Sequence, residues 1–197
     1  MIVYCGTSNP GKLREFQKAA PDFEIRALPA VIPAPEETGS TFEENGAQKA
    51  LAYGKHVDGY LFADDSGLEV DALGGAPGVI SARYAGEHAA DADNNALLLK
   101  NLAGVENRSA RFVCVIALVR AGRVVKTFRG SVEGRIIDDP RGDGGFGYDP
   151  LFFHEPFGCT FGEASLEQKM QVSHRAKALR QMFTWLSEQP REQSREQ

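Results

Sequence analysis

The hydrophobic positions of the chain form short apolar runs that alternate with stretches of helical spacing. The runs are typical of buried β-strands and predict strands at residues 2–5, 60–63, 111–119, 123–128 and 132–137. Ala121 and Gly122 separate two of these runs, which predicts a β-hairpin. The segments 27–40 and 74–78 are rich in glycine and proline and predict loops.

Four helices are predicted where apolar residues recur every three or four positions behind a capping residue. The candidate caps are Asn9, Thr41, Asp91 or Asp93, and Ser173. Pro10 suits the first helical position, and Glu44 completes a capping box with Thr41. Because strands and helices are interleaved and include a hairpin, the pattern predicts an α/β (α+β) fold with a mixed β-sheet flanked by helices.

Length and composition fit one soluble domain, because the chain has 197 residues, of which 42% are hydrophobic and 25% charged. We expect residues 1–188 to form this domain, as one unit or as two fused lobes. Residues 189–197 hold no apolar side chain and are expected to form a disordered tail. The 21 glycines make up about 11% of the 197 residues, against the usual ~7%, and indicate several tight loops.

Charge and segment patterns exclude several classes of protein. The formal net charge of −5 argues against a nucleic acid polymer as partner. No apolar run reaches the ~18 residues that a membrane span needs, and no basic segment precedes the first apolar run as in a signal peptide. We therefore expect a cytoplasmic protein. The three isolated cysteines are expected to be reduced thiols and do not form a zinc motif.

The loop at residues 6–12, Gly-Thr-Ser-Asn-Pro-Gly-Lys, joins the first strand to the first helix. Amides and the dipole at a helix start favour anions, and Lys12 adds a cation there. The spacing matches the GxxxxGK part of a P-loop, but Leu13 stands where that motif needs Ser or Thr. An ordinary capped helix with a surface lysine is the alternative interpretation.

The acidic segment Asp64-Asp65-Ser66-Gly67 follows a buried strand, where ligands often bind in open sheets. Adjacent carboxylates repel each other, and Mg²⁺ between them would remove that cost. One aspartate would then hold the metal while the other orients or deprotonates water. A turn built from these same residue types is the alternative.

A predicted helix that starts near Thr41 offers further polar candidates. Glu44 is either a metal ligand or only the capping-box residue. Asn45 and Lys49 share one helix face and would support the same cleft or face water.

Two later segments could contact a flat, charged ligand. In residues 144–150, Gly-Gly-Phe-Gly-Tyr-Asp-Pro, an aromatic ring could stack on a base while glycines let the backbone approach. Lys169 and Arg175 offer a point charge and a planar fork of donors. Arg83 is a candidate for the same role. For residues 144–150 the alternative is a loop anchored by aromatic packing. For Lys169 and Arg175 it is a helix start with solvent-facing polar side chains, and for Arg83 it is a structural ion pair.

Seven segments, in this order, resemble the motifs of the inosine triphosphate pyrophosphatase family, the Ham1-like non-canonical purine nucleoside triphosphate pyrophosphatases. They are Thr7–Lys12, Phe42–Asn45, Asp64–Gly67, Gly74–Gly78, Ser81–Tyr84, Gly145–Pro150 and Ser173–Arg175. The resemblance implies an elongated fold of two lobes with a central nucleotide cleft, a homodimer and Mg²⁺ as cofactor. It also implies hydrolysis of ITP, dITP or XTP to the monophosphate and pyrophosphate, which removes these nucleotides from the pool.

The resemblance also implies a role for individual residues. The triphosphate would be held by Thr7, Ser8, Asn9, Pro10, Gly11 and Lys12. Mg²⁺ would be bound by Glu44 and Asp65 with support from Asp64, and Asp65 would accept the proton of the attacking water. Ser66 would contact the substrate. The base and sugar would be held by Phe146, Gly147, Tyr148 and Asp149. The base and its 6-keto edge would be read by Lys169, His174 and Arg175, with Asn45, Lys49 and Arg83 as supporting residues.

This assignment has a physical reason in the shape of the purine edge. Arg175 can donate to a 6-keto oxygen, whereas the amino group of adenine would leave it unpaired. GTP shares the 6-keto group, so its rejection requires a feature near position 2 of the base. The competing hypotheses are a Maf-like pyrophosphatase with the same architecture, a non-catalytic nucleotide-binding module and a P-loop ATPase.

Overall fold

The computed structural model describes residues 2–29 and 32–189, so most of the predicted tail lies outside the described residues. Its strands are β1 (Ile2–Cys5), β2 (Glu24–Ala27), β3 (Tyr60–Val70), β4 (Ser109–Arg120), β5 (Arg123–Ile136), β6 (Phe152–His154) and β7 (Cys159–Thr160). Its α-helices are α1 (Pro10–Ala19), α2 (Phe42–Gly54), α3 (Asp91–Asn101), α4 (Leu166–Val172) and α5 (His174–Ser187). Short 3₁₀ helices occur at Asp71–Leu73, Gly78–Arg83 and Glu155–Phe157.

The strands form one mixed sheet in the order β2-β1-β3-β4-β5-β6-β7. β1 pairs in parallel with β2 and β3, and the other neighbours are antiparallel. The predicted hairpin is confirmed, since β4 and β5 pair on either side of Ala121 and Gly122. The predicted α/β class with a mixed sheet is therefore confirmed.

The predicted caps are mostly confirmed. Asn9 Oδ1 accepts from the first amides of α1, Thr41 Oγ1 from Glu44 N and Ser173 Oγ from Ala176 N. At α3 the N-cap is Ala90, whose amide donates to the Asp93 carboxylate at 2.9 Å. At the other three helices the contacts are local, so residue type alone was a sufficient guide, whereas the predicted cap at Asp91 or Asp93 is wrong because both residues lie inside α3.

Strand β3 is longer than the predicted 60–63. It continues to Val70, so Asp64 and Asp65 lie within the strand and not after its end. The reason is its antiparallel ladder with β4, in which Asp64 lies opposite Ile116 and Asp65 opposite Val115. β5 likewise continues through the segment predicted as a separate strand at 132–137. The strands β2, β6 and β7 and the helix α4 were not predicted. They are short, and β2 buries only Ile25.

The sheet is covered on both faces by apolar clusters. One cluster packs α1 and α5 against the strands through Phe16, Phe62, Ile116, Leu179 and Met182. On the other face α2 packs through Ala50 and Tyr53 against Leu61 and Ala117. A third cluster, around Leu98, Phe112 and Phe152, joins α3 to the far end of the sheet.

The edge of β3 is left open where β1 ends. β1 pairs with β3 only at Tyr60–Phe62, and the chain then leaves the sheet toward α1. Farther along, Leu68 N donates to Ser81 Oγ and Val70 N to Ala76 O, which covers the later part of that edge. Within the described residues, the backbone edge of residues 63–67 is therefore left without a strand partner on this side. It faces a cleft whose walls come from both halves of the chain. No helix within the described residues is long and apolar enough to cross a membrane.

Candidate active site

The cleft at the open edge of β3 brings together most of the residues predicted for the site. Those that line it are Asn9, Lys12, Lys49, Asp65, Ser66, Phe146, Gly147, Tyr148, Asp149, His174 and Arg175. Lining residues that were not predicted for the site include Glu37, Ser81, Asp91, Asn94 and Phe112. The predicted residues that lie outside its lining are Thr7, Ser8, Pro10, Gly11, Glu44, Asn45, Asp64, Arg83 and Lys169.

Asp64 and Asp65 do not form the side-by-side pair that was expected. Consecutive residues of a strand point to opposite faces of the sheet, and each carboxylate has its own cation. Asp64 Oδ2 accepts from Lys12 Nζ at 2.9 Å, whereas Asp65 Oδ1 accepts from Lys49 Nζ at 2.9 Å. Two lysines thus balance the carboxylates in this structure, and their mutual repulsion is not by itself an argument for a metal.

Asp64 is a buried anion held by several positive charges. Burial opposes its ionisation, but the charges of Lys12, Arg175 and Lys49 outweigh this and lower its pKa to about 2. The Cys114 thiol lies 3.9 Å from the same carboxylate oxygen. Asp64 is thus a fixed charge that holds Lys12, and it lies behind the residues that line the cleft.

Asp65 lies on the face that α2 covers. Its Oδ2 accepts from Asn45 Nδ2 at 3.1 Å and its Oδ1 from Lys49. Burial raises the pKa of Asp65, and although Lys49 acts in the opposite direction, the net shift is upward. Asp65 is therefore more basic than an ordinary aspartate while it remains in contact with the cleft.

Glu37 is a cleft carboxylate that sequence reasoning missed. Its Oε1 accepts from Lys49 Nζ at 2.7 Å, so one ammonium group bridges Glu37 and Asp65. Its Oε2 lies 3.4 Å from Arg83 Nη1, which accounts for Arg83 as a supporting residue. Burial disfavours the charged carboxylate, but the Lys49 charge prevails and lowers the pKa of Glu37. Glu37 lies in a segment rich in proline and glutamate, where no periodicity singles out one residue.

Glu44 was expected to bind metal, and the structure places it elsewhere. It is exposed, and its carboxylate accepts from the amide and hydroxyl of Ser40 at 2.7 and 2.9 Å. It sits on the outer side of the first turn of α2, while Asn45 and Lys49 of the same helix face Asp65. The position fits the capping interpretation, and the role of Glu44 as a metal ligand stays a prediction.

The loop that precedes α1 is a capped helix start that also carries Lys12 into the cleft. Asn9 Oδ1 accepts from Gly11 N and Lys12 N at 2.8 and 3.1 Å, and Asn9 N donates to Thr7 Oγ1 at 3.1 Å. Ser8 and Pro10 are exposed. A Cβ on Gly11 would lie only 3.1 Å from a Phe146 ring carbon, so glycine permits this close approach.

The opposite end of the cleft is built on a buried ion cluster. Glu15 of α1, also missed by sequence reasoning, accepts from Lys169 Nζ at 2.7 Å and from Arg175 Nη1 at 2.8 Å. Lys169 also contacts Asp149, and Arg175 Nη2 donates to Ser66 Oγ at 3.0 Å. Burial opposes the ionisation of Glu15, but the charges of Arg175 and Lys169 outweigh this effect and lower its pKa. Glu15 resembles any polar residue of an amphipathic helix, so no sequence signal marks it.

An aromatic ring lies over these cations. The Arg175 Cζ and Lys169 Nζ atoms are 5.0 and 5.3 Å from the centroid of Phe146. Asp149 Oδ2 accepts from Phe146 N at 3.0 Å, which ties the ring to the cluster. Burial raises the pKa of Asp149, in spite of the Lys169 charge. Phe146 is therefore held in place before any ligand arrives.

His174 is buried beside Arg175, and its ring stacks on Phe112 with centroids 5.0 Å apart. Burial and the neighbouring cations lower the pKa of His174 well below its ordinary value, so the ring is neutral. Within the described residues, neither ring nitrogen has a hydrogen-bond partner, and Arg175 Nε has none either. A neutral imidazole offers one donor and one acceptor, so polar capacity remains at this end of the cleft.

The carboxylates of the cleft decide which metal it could hold. The described part of the chain holds no group of three or more His, Cys, Asp and Glu side chains with metal geometry. Glu37 and Asp65 nevertheless converge on one cation, the Lys49 ammonium. Two carboxylates suit Mg²⁺, which usually takes one or two of them and completes its shell with water and phosphate oxygens. The residues present therefore fit Mg²⁺ through Glu37 and Asp65.

Fold and site together define a mixed α/β protein with a polar cleft, in which buried carboxylates are matched by lysine and arginine. A model of the Ham1 family matches residues 3–185, and the chain belongs to that family. A dITP/XTP pyrophosphatase of Syntrophobacter fumaroxidans is 52% identical over 182 residues, which cover 90% of this chain and 78% of the relative.

Solved structures of the family have the same fold. A HAM1 protein from Coxiella burnetii superposes with a TM-score of 0.86 at 40% identity, covering 96% of this chain and all of that one. The Staphylococcus aureus Ham1 protein gives a TM-score of 0.83 at 42% identity, covering 95% of this chain and 98% of that one. The family predicted from the seven segments is thus confirmed.

Proposed function

We propose that the protein hydrolyses non-canonical purine nucleoside triphosphates, such as dITP, ITP and XTP, to the monophosphate and pyrophosphate. The observation that carries the proposal is Asp65, a buried carboxylate of raised pKa that binds Lys49 and lines the same cleft as Lys12. The 52% identical relative named dITP/XTP pyrophosphatase supports the same activity. Its role would be to remove these nucleotides from the nucleotide pool.

The polyphosphate would lie at the end of the cleft that holds Lys12 and Lys49. Both ammonium groups now bind carboxylates, so a phosphate would have to share them or draw them away. The helix start at residues 7–12 adds partial positive charge, although Asn9 Oδ1 occupies two of its amides. This end therefore supplies charge to match a triphosphate even though the whole chain is acidic.

The base would lie at the end that holds Phe146, His174 and Arg175. The Phe146 ring offers a stacking surface, and the unpartnered Arg175 Nε and neutral His174 ring offer hydrogen bonds to a 6-keto edge. A buried donor left facing the amino group of adenine would lose its partner, and such a mismatch is costly. The geometry thus favours ITP and XTP over ATP.

Mg²⁺ is proposed as the cofactor, with Glu37 and Asp65 as its protein ligands in place of the Glu44 and Asp64 first expected. When bound, Mg²⁺ would neutralise charge on the phosphate oxygens. Asn45 would continue to orient the Asp65 carboxylate through its 3.1 Å hydrogen bond.

The reaction needs a group that accepts a proton from the attacking water, and Asp65 is the proposed base. A water oxygen would bond to the α-phosphorus as its proton passes to Asp65, and the bond to the bridging oxygen of pyrophosphate would break. A carboxylate of raised pKa is a better proton acceptor than an ordinary one, which suits this role. Lys12 and Lys49 would balance the charge that develops on the departing pyrophosphate.

A homodimer and a cytoplasmic location complete the proposal. Light scattering coupled to size exclusion would give twice the 21.4 kDa chain mass for a dimer. A mass equal to one chain would refute this part of the proposal without affecting the activity.

The activity is tested by product analysis with ITP, XTP, dTTP, GTP and ATP in the presence of Mg²⁺. We expect pyrophosphate and the monophosphate from ITP and XTP, with much slower turnover of the other three. Preference for dTTP would favour the Maf-like alternative, and orthophosphate from ATP would favour an ATPase. No product from any of the five would favour a binding module and refute the proposal.

A further inference from the structure

Helix α3 connects the two walls of the cleft through side chains near its start. Asn94 is buried and holds one wall, because its Oδ1 accepts from Ala85 N at 2.8 Å and its Nδ2 donates to Ala82 O at 3.2 Å. Asp91 and Asn95 of the same helix contact the opposite wall at Gly147. The helix therefore acts as a spacer between segments that are far apart in sequence.

Both polar backbone groups of Gly147 are bound by these two side chains. Asp91 Oδ2 accepts from Gly147 N at 2.6 Å, and Asn95 Nδ2 donates to Gly147 O at 3.1 Å. Gly147 has a φ of +63°, in the left-handed region that glycine adopts readily. Because this segment belongs to no strand or α-helix, the two side chains replace the ladder that would otherwise fix its position.

The position of Gly147 determines the position of its neighbours in the base end of the cleft. Phe146, the proposed stacking ring, precedes it and is packed between Gly11 and the cations of the buried cluster. Tyr148 follows it and donates to Ser81 O at 2.8 Å. A shift of Gly147 would therefore move the ring and the wall that face the base.

We propose that Asp91 and Asn95 are positioning residues that fix the Gly147 segment and thereby set the choice between purine bases. The proposal rests on the proposed function. Neither residue is required for the chemistry; their effect is transmitted through the backbone of Gly147. GTP shares the 6-keto edge of ITP but carries a 2-amino donor, where XTP has a 2-keto acceptor of similar size, so its rejection depends on which polar groups this wall presents to position 2 of the base. A displacement of about 1 Å is enough to change the orientation of a bound substrate and its reaction rate substantially.

The test compares Asp91→Ala with Asp91→Asn, Asn95→Ala and the control Asp93→Ala. Asp93 carries the same charge on the same turn of α3, but its carboxylate accepts from Ala90 N and does not contact Gly147. Hydrogen exchange of a peptide covering residues 144–150 is measured in the free protein, and kcat and KM are measured with ITP and with GTP.

For Asp91→Ala we expect faster exchange in that peptide and a KM for ITP raised about tenfold with little change in kcat, the size expected for a lost charged hydrogen bond. The ratio of kcat/KM for ITP over GTP should fall. Asp91→Asn keeps an acceptor and should restore most of both properties. Asn95→Ala should give a smaller change in the same direction, and Asp93→Ala should match the wild type in exchange and selectivity.

Equal behaviour of Asp91→Ala and Asp93→Ala would overturn the proposal, as would faster exchange without any change in selectivity. If the wild type hydrolyses no purine nucleotide, the proposed function fails, and base selection fails with it. The exchange measurement in the free protein still shows in that case whether Asp91 holds Gly147, so the two failures are distinguishable.

Discussion

Asp64 and Asp65 are consecutive residues of β3, yet they lie on opposite faces of the sheet and their pKa values shift in opposite directions. On the face of α1 and α5, Asp64 pairs with Lys12, and the charges of Lys12, Arg175 and, from the other face, Lys49 outweigh its burial and lower its pKa to about 2. On the face of α2, burial prevails over Lys49 and raises the pKa of Asp65. Strand alternation thus converts two identical residues into a fixed anion and a candidate base.

The largest difference between the two faces should appear in catalysis. Asp65→Asn removes the proposed proton acceptor but keeps the shape and the contact with Lys49. We expect kcat to fall by roughly 10²–10⁴-fold, the usual contribution of general base catalysis, while nucleotide binding is retained. Turnover and equilibrium dialysis with ITP would measure both. Full activity in this variant would disprove the role of Asp65.

Substitutions on the Asp64 face should mainly change the free energy of unfolding. Lys12→Met would leave the buried Asp64 carboxylate without its nearest cation, at a cost of about 3 kcal/mol in the free energy of unfolding. The double variant Lys12→Met with Asp64→Asn should recover much of the loss, because no uncompensated charge remains. Urea denaturation measures all three proteins. A Lys12→Met protein as stable as the wild type would show that Asp64 does not depend on this pair.

The comparison also predicts opposite responses to pH. The pKa of Asp64 is lowered in the folded state from 3.8 to about 2, so its stabilisation is complete above pH ~4 and is lost as the pH falls through about 2. The amount is about 2 kcal/mol, at 1.36 kcal/mol per unit of pKa. The pKa of Asp65 is raised, so its ionisation costs stability at neutral pH. Acid unfolding should therefore be shallower in Asp64→Asn, whereas Asp65→Asn should be no less stable than the wild type at pH 7.

The smallest effects concern the proposed metal ligands. Glu37→Gln should raise the Mg²⁺ concentration for half-maximal activity about tenfold, because one of two convergent carboxylates is lost. Glu44→Gln is the matched control, and as a surface substitution it should change that value by no more than about twofold. A Mg²⁺ titration of activity compares the two. The reverse order would restore Glu44 as the metal ligand.

The parts of the fold that depend on local chemistry could be predicted from the sequence, and those that depend on pairing could not. Asn9, Thr41 and Ser173 cap helices because a side-chain oxygen reaches an amide two or three residues away. The full length of β3 depends on its ladder with β4, which is about fifty residues distant. The sequence therefore led us to end β3 before Asp64 and to place the two carboxylates side by side.

The same distinction holds for the site. Motif resemblance pointed to Asp65, Phe146 and Arg175, which do line the cleft. Glu15 and Glu37 were missed, because a buried glutamate in a helix and one in a proline-rich loop look like exposed ones until the fold supplies their cations. Glu44 was predicted as a metal ligand because it lies in a recognisable motif. In the structure its carboxylate accepts a hydrogen bond from the Ser40 hydroxyl.

The most direct test of the difference between the two faces is a ¹³C NMR titration of the aspartate carboxyl groups in the metal-free protein. Asp64→Asn and Asp65→Asn spectra would assign the two signals. We expect Asp64 to stay ionised at every pH at which the protein remains folded, and Asp65 to take up its proton above the ordinary 3.8 of an aspartate. Protonation of Asp64 before Asp65 as the pH falls would contradict the account.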